Sequence, residues 1–153
     1  MRAILSLGSN LGNRNDSINQ AINQIANLPN TIVQKQSQII ETEPWGHILQ
    51  PAFLNCVVII ETVLNPYDLL DSLLNIENKL GRIRTEKWGA RTIDIDIIFY
   101  ENQVIKTDNL TIPHPYMHER LFVLDCLNEI CPEYMHPIFK KNIEELINNI
   151  KQG

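Results

Sequence analysis

The chain reads as an α+β fold, a ferredoxin-like βαββαβ core in which a mainly antiparallel sheet is flanked by helices. Two observations predict it. Short segments rich in β-branched and alternating apolar residues occupy 2–7, 31–41, 53–64 and 92–100, and apolar stripes at helical spacing follow the first and third of them. At 153 residues with 44% hydrophobic content, the chain is expected to form one domain over 1–153 with an ample core.

Each element has a local cause. Residues 2–7 break at Gly8-Ser9-Asn10-Leu11-Gly12-Asn13, after which Ile18, Ala21, Ile22, Ile25 and Ala26 recur at helical spacing. That glycine-rich turn lacks the G-x-x-x-x-G-K-[ST] spacing of a phosphate loop and holds no G-x-G-x-x-G, so it reads as a turn whose Asn or Asp caps the helix. Leu28-Pro29-Asn30 stops the helix, 31–41 alternates as a second strand, and the Pro, Gly and Gln content of 43–51 predicts a loop. The run Val57-Val58-Ile59-Ile60 marks the third strand. Asn65-Pro66 opens a helix with the stripe Leu69, Leu70, Leu73, Leu74, Ile76 and Leu80, proline being harmless in a first turn, where its missing N–H has no partner. Residues 81–90, with two glycines, a tryptophan and clustered cations, read as a loop feeding the strand at 92–100. A small hairpin at Val104-Ile105 and Leu110-Thr111-Ile112, and helices at 123–130 and 142–150, complete the chain.

Composition excludes several classes. A net charge of −5 gives no long-range attraction to nucleic acid or anionic membrane. There is no apolar run of about 18 residues and no signal-type N-terminal segment, so a cytoplasmic protein with neither nucleic-acid nor membrane partners is expected. Cys56, Cys126 and Cys131 form neither an even set nor a C-x-x-C pair and are expected to be reduced and packed; Cys126, Cys131 and His136 match no zinc spacing.

Against the acidic background, Arg82, Arg84, Lys87 and Arg91 are four of the 13 Lys and Arg, and they directly precede Asp94 and Asp96. In a strand the two aspartates project from one face, roughly 6.5 to 7 Å apart along the chain, while Ile93, Ile95 and Ile97 enter a core. Paired carboxylates suit Mg²⁺, which completes its shell with water and substrate phosphates, and guanidinium groups grip phosphate oxygens through paired hydrogen bonds. The combination points to a nucleotide or polyphosphate. Pro113-His114-Pro115 fixes a histidine near Arg120, where it can donate to an anionic oxygen. Phe53 begins a strand at the edge of the Pro/Gln loop and Phe122 follows Arg120, which suits each either to the core or to a mouth where a flat ligand stacks, and Trp45 and Trp88 lie beside glycines in the two long loops.

The segments Leu7-Gly-Ser-Asn-Leu-Gly-Asn-Arg14, Phe53-Leu-Asn55, Gly81-Arg-Ile-Arg84, Trp88-Gly-Ala-Arg-Thr-Ile-Asp-Ile-Asp-Ile97, Pro113-His-Pro115 and Glu119-Arg-Leu-Phe122 together closely resemble the 6-hydroxymethyl-7,8-dihydropterin pyrophosphokinase family of folate biosynthesis. The likeness runs over about residues 5–132, and its most specific part is Arg-Thr-Ile-Asp-Ile-Asp. The resemblance implies transfer of a pyrophosphoryl group from ATP to the pterin hydroxymethyl oxygen by attack at the β phosphorus, releasing AMP. It implies Arg82, Arg91, Asp94 and Asp96 as catalytic residues, the two aspartates holding two Mg²⁺ ions. Glu77, Arg84, Trp88, Ile97, His114 and Arg120 would bind the nucleotide. Thr42, Trp45, Phe53, Asn55, Asp94 and Phe122 would bind the pterin. ATP and the dihydropterin are then the small-molecule partners of a monomeric enzyme, over which the loops at 43–52 and 81–90 are expected to close. Trp45, Ala90 and Asn109 depart from residues common in the family. Two rivals use the same features: a Mg²⁺-dependent nucleotide hydrolase, and a ferredoxin-like RNA-binding module, against which the acidic charge counts.

Overall fold

The structure, a computed structural model, describes residues 1–10, 13–42, 52–81 and 93–152. Its strands are β1 (Arg2–Ser9), β2 (Thr31–Gln36), β3 (Ile40–Thr42), β4 (Phe53–Thr62), β5 (Asp94–Tyr100), β6 (Ile105–Lys106) and β7 (Thr111–Ile112); its helices are α1 (Arg14–Ala26), α2 (Pro66–Gly81), α3 (Leu121–Ile130) and α4 (Ile143–Gln152). The main sheet runs β2-β4-β1-β5 with β3 also on β4, every pair antiparallel, and β6 with β7 forms a separate hairpin. Each βαβ crossover skips one strand, the arrangement expected of a ferredoxin-like core.

Asparagines start three of the helices. Asn13 Oδ1 accepts from the Asp16 amide, Asn65 Oδ1 from the Asp68 amide, and Asn142 exchanges hydrogen bonds with Glu145 in a reciprocal cap. The helix α3 has no side-chain cap; Arg120 stands at its N-terminus.

Two sequence expectations are corrected, and the first is that 31–41 is two strands. Pairing of β2 with β4 shifts register between Val33 and Lys35, and the Val57 amide then donates to the Ser37 hydroxyl while the Ser37 amide donates to the Val57 carbonyl. A side chain has taken the place of a ladder carbonyl, and regular pairing resumes only at Ile40 opposite Asn55. Gly81, expected in a loop, is instead the last residue of α2.

The sheet separates two cores. Leu5, Leu7, Cys56, Val58, Ile60, Ile95 and Ile97 pack under α1 and α2; Ile4, Val57, Ile59, Ile98 and Phe99 pack under α3 and α4. A register shift opposite Ile4 and Leu5 accommodates one extra residue in β5, so Ile98 and Phe99 both join the second core. The cysteines are free, Cys56 and Cys126 buried and Cys131 partly so, and burial pushes the Cys56 thiol up to about 12. No helix among the described residues is long and apolar enough to cross a membrane.

Candidate active site

On the α3 side, three strands change character along their length. In β1 the face runs from Ile4 to Ser6 to Gly8, in β4 from Val57 to Asn55 to Phe53, and in β5 from Ile98 to Asp96 to Asp94. Register aligns these changes: Asn55, Gly8 and Asp94 form one row across the sheet, and Val57, Ser6 and Asp96 the next. The helices cover the apolar end, and the polar end floors a cavity of about 220 Å³. Thr42, Phe53, Arg120 and Phe122 wall it.

The floor is open because Gly8 has no side chain. A Cβ there would lie 3.1 Å from Asn55 Oδ1 and 3.7 Å from the Phe53 ring. Asn55 is buried and its Nδ2 donates to Thr42 Oγ1 at 2.8 Å, which fixes the amide and leaves Oδ1 as an acceptor.

Asp94 and Asp96 project into the cavity from one face of β5, as alternation requires, with the Asp96 side chain 37% exposed. His114 Nε2 stands 4.0 Å from Asp96 Oδ2. His114 Nδ1 accepts the Tyr116 amide, so in the neutral ring the proton is on Nε2, the nitrogen that faces the aspartate. Burial, and then the Arg120 guanidinium, lower the His114 pKa to about 4, which keeps this donor uncharged at neutral pH. Behind the pair, Glu77 reaches from α2 to accept the Ile95 amide at 2.6 Å, on the edge of β5 that no strand among the described residues covers. The backbone between the two aspartates is thereby tied to a helix.

No group of three or more His, Cys, Asp or Glu able to enclose a metal occurs among the described residues. Two carboxylates with hard oxygen donors opening on a cavity nevertheless fit Mg²⁺, which needs one or two such ligands when a phosphate substrate supplies others.

The fold thus gathers Thr42, Phe53, Asn55, Asp94, Asp96, Arg120 and Phe122 at one cavity, with His114 at its edge and Glu77 behind it. The Ile97 side chain is buried in the α1/α2 core on the reverse face, as alternation with the aspartates predicts, so it does not line the cavity and what it can offer a ligand is its backbone. Arg82, Arg84, Arg91, Trp45, Trp88 and Ala90 lie outside the described residues. Sequence reasoning missed Ser6 and Gly8 as floor residues, although the taper Ile4, Ser6, Gly8 at period two was a readable signal.

Residues 4–132 match the family described as 7,8-dihydro-6-hydroxymethylpterin-pyrophosphokinase (HPPK). The 2-amino-4-hydroxy-6-hydroxymethyldihydropteridine pyrophosphokinase of Bacillus subtilis is 46% identical over 131 residues, covering 86% of this chain and 78% of its own; that of Haemophilus influenzae is 42% identical over 135 residues, covering 88% and 84%. Among solved structures, Plasmodium falciparum HPPK-DHPS with pteroate superposes with a TM-score of 0.75 at 20% identity, over 97% of this chain and 42% of that one. The present chain therefore spans about two fifths of that longer protein, and the likeness speaks for the fold. The family match over most of the length, together with relatives above 40% identity, shows that this chain belongs to the 7,8-dihydro-6-hydroxymethylpterin-pyrophosphokinase family.

Proposed function

We infer that the protein transfers the pyrophosphoryl group of ATP to the hydroxymethyl oxygen of 6-hydroxymethyl-7,8-dihydropterin, giving AMP and the pterin diphosphate in folate biosynthesis. Beside the family relationship, the observation that carries this reading is one cavity lined both by two aromatic rings, Phe53 and Phe122, and by two carboxylates, Asp94 and Asp96, which we read as an aromatic and a carboxylate end.

The two ends suit the two halves of the acceptor. A pterin ring between Phe53 and Phe122 buries both its faces, and Asn55 with Thr42 meets its hydrogen-bonding edge, Trp45 adding to this end. That orientation directs the hydroxymethyl group toward Asp94. Arg120 and the neutral His114 Nε2–H donate to phosphate oxygens; Arg82 and Arg91 follow the transferring group, while Arg84, Trp88 and the Ile97 backbone hold the nucleotide. Glu77 serves the nucleotide side by holding the strand that presents the aspartates. Asp94 and Asp96 would hold Mg²⁺, as two ions, and the metal when bound supplies neutralisation of phosphate charge. Neither the hydrolase nor the RNA-binding alternative finds support in the family relationship.

The test is ³¹P NMR on protein mixed with Mg²⁺, ATP and the dihydropterin, beside a control without pterin. AMP and a pterin diphosphate are expected in the complete mixture alone. ADP, or AMP formed without pterin, refutes the transfer reaction.

A further inference from the structure

Arg14 is the first residue of α1, the end of a helix where the backbone dipole disfavours a cation. Its guanidinium is engaged elsewhere. Nη1 donates to Glu41 Oε2 at 2.9 Å and to the Ala52 carbonyl at 2.7 Å. These acceptors lie on two different strand ends. The ladder of β3 with β4 ends at the pair Thr42 and Phe53; Glu41 precedes the first of these residues and Ala52 the second. One side chain therefore ties together the two chain segments that deliver Thr42 and Phe53 to the cavity.

The contact works from behind. Glu41 and its register partner Leu54 alternate with Thr42, Phe53 and Asn55 and so fall on the other face of the sheet, where Leu54 packs against the α1/α2 core. Thr42 in turn receives the Asn55 amide. We propose that Arg14 is a positioning residue for the aromatic end of the cavity, clamping β3 to β4 from the reverse face so that Thr42, Phe53 and Asn55 keep the spacing a flat heterocycle needs. The inference rests on the reading of that end as the pterin subsite.

An ion pair with one partner more than half exposed adds little to global stability, so the loss of Arg14 should be felt in ligand binding more than in folding. The experiment is steady-state AMP formation by the full chain and by Arg14→Gln, Arg14→Lys and Glu41→Gln, with pterin varied at saturating ATP and the reverse, beside thermal melts. Arg14→Gln is expected to raise the pterin KM about five- to twentyfold and to change the ATP KM less than about twofold, because what it removes acts at one subsite. Arg14→Lys keeps a charged donor and should fall between Arg14→Gln and the parent. Glu41→Gln leaves the Ala52 bond and should raise the pterin KM about two- to fivefold; combined with Arg14→Gln it should add nothing, as coupled partners do. A pterin KM unchanged in Arg14→Gln, or pterin and ATP KM rising together, overturns the positioning role. If Arg14→Gln does not fold, Glu41→Gln decides by the same criterion. Failure of the parent chain to make the pterin diphosphate instead removes the subsite reading itself, and the inference with it.

Discussion

The two faces of one sheet have been put to different uses. Under α1 and α2 the inward positions of β1, β4 and β5 run apolar from Leu5 and Leu7 through Cys56, Val58 and Ile60 to Ile95 and Ile97, all of them buried, and the buried polar Ser9 and Thr62 stand only at strand ends. Under α3 and α4 the same strands are apolar for only part of their length, then turn to Ser6, Gly8, Asn55, Asp94 and Asp96. Stability and chemistry are therefore interleaved residue by residue along β1, β4 and β5. The apolar face holds the strands to the helices while the other can afford an uncovered end.

The sharpest way to break this comparison is to change neighbours of opposite parity. Asp96→Ala should reduce AMP formation by at least about 10²- to 10³-fold, the loss typical of removing a group that stabilises transition-state charge, with an unchanged melting curve. Ile97→Ala, one residue on, should lose about 2–5 kcal/mol in urea unfolding through lost burial and the cavity left behind, while its folded fraction still turns over. Near-normal turnover in Asp96→Ala would remove that carboxylate from the mechanism. A stability loss in Asp96→Ala equal to that in Ile97→Ala would show that the faces are not separable.

Glu77 joins the two faces, since it belongs to α2 yet holds the backbone between the aspartates. Glu77→Ala leaves the Ile95 amide without its carboxylate and should cost about 1–3 kcal/mol of stability, the penalty of an orphaned donor. Glu77→Gln keeps an acceptor and should recover most of it. Equal unfolding curves for the alanine and glutamine variants would show that the hydrogen bond is not what Glu77 contributes.

Much of this architecture was legible because it depends on local pattern. Asn65-Pro66 and the leucine stripe placed α2, and the alternation about Asp94 and Asp96 gave both their shared face and the burial of Ile95. What stayed hidden depends on contacts distant in sequence. The break between β2 and β3 is made by the Ser37 hydroxyl accepting from Val57, and no periodicity announces which strand a serine will meet. The attachment of Glu77 to Ile95 and of Arg14 to Ala52 likewise requires knowing which helix lies over which strand end. Arg14 was visible as part of a motif and Glu77 as a helix carboxylate; their partners were not.

Gly8 offers a subtler probe of the open end. In Gly8→Ala the new methyl would stand 3.1 Å from Asn55 Oδ1, close enough that the amide must shift by a few tenths of an ångström. Strain of about 1 kcal/mol at that point, the low end for overpacking, corresponds to about a fivefold weaker pterin Kd by titration calorimetry. ATP affinity and the melting temperature should move little. A pterin Kd as tight as that of the parent chain would mean that Asn55 and Gly8 do not define the ring's floor.

A last probe separates the two ends of the α3 side by pH. His136 lies under the covered end, stacked on Phe139 with centroids 4.3 Å apart and edge-on to Phe99, and its Nδ1 accepts the amides of Ile138 and Phe139. Protonating that nitrogen removes both acceptor contacts. Burial, and then the nearby His118, lower its pKa to about 4, below the ordinary 6.5 that the unfolded chain should show. Between those values the unfolded state binds more protons than the folded one, so stability rises with pH across the window and is lost as pH falls from about 6.5 toward 4. The slope for one such group is at most about 1.4 kcal/mol per pH unit. His136→Asn keeps a short acceptor and cannot charge, so urea unfolding at pH 7, 6 and 5 should show a shallower fall in stability than in the parent chain. Identical pH dependence in the two proteins would remove His136 as its source and leave the drop to His114, beside the aspartates.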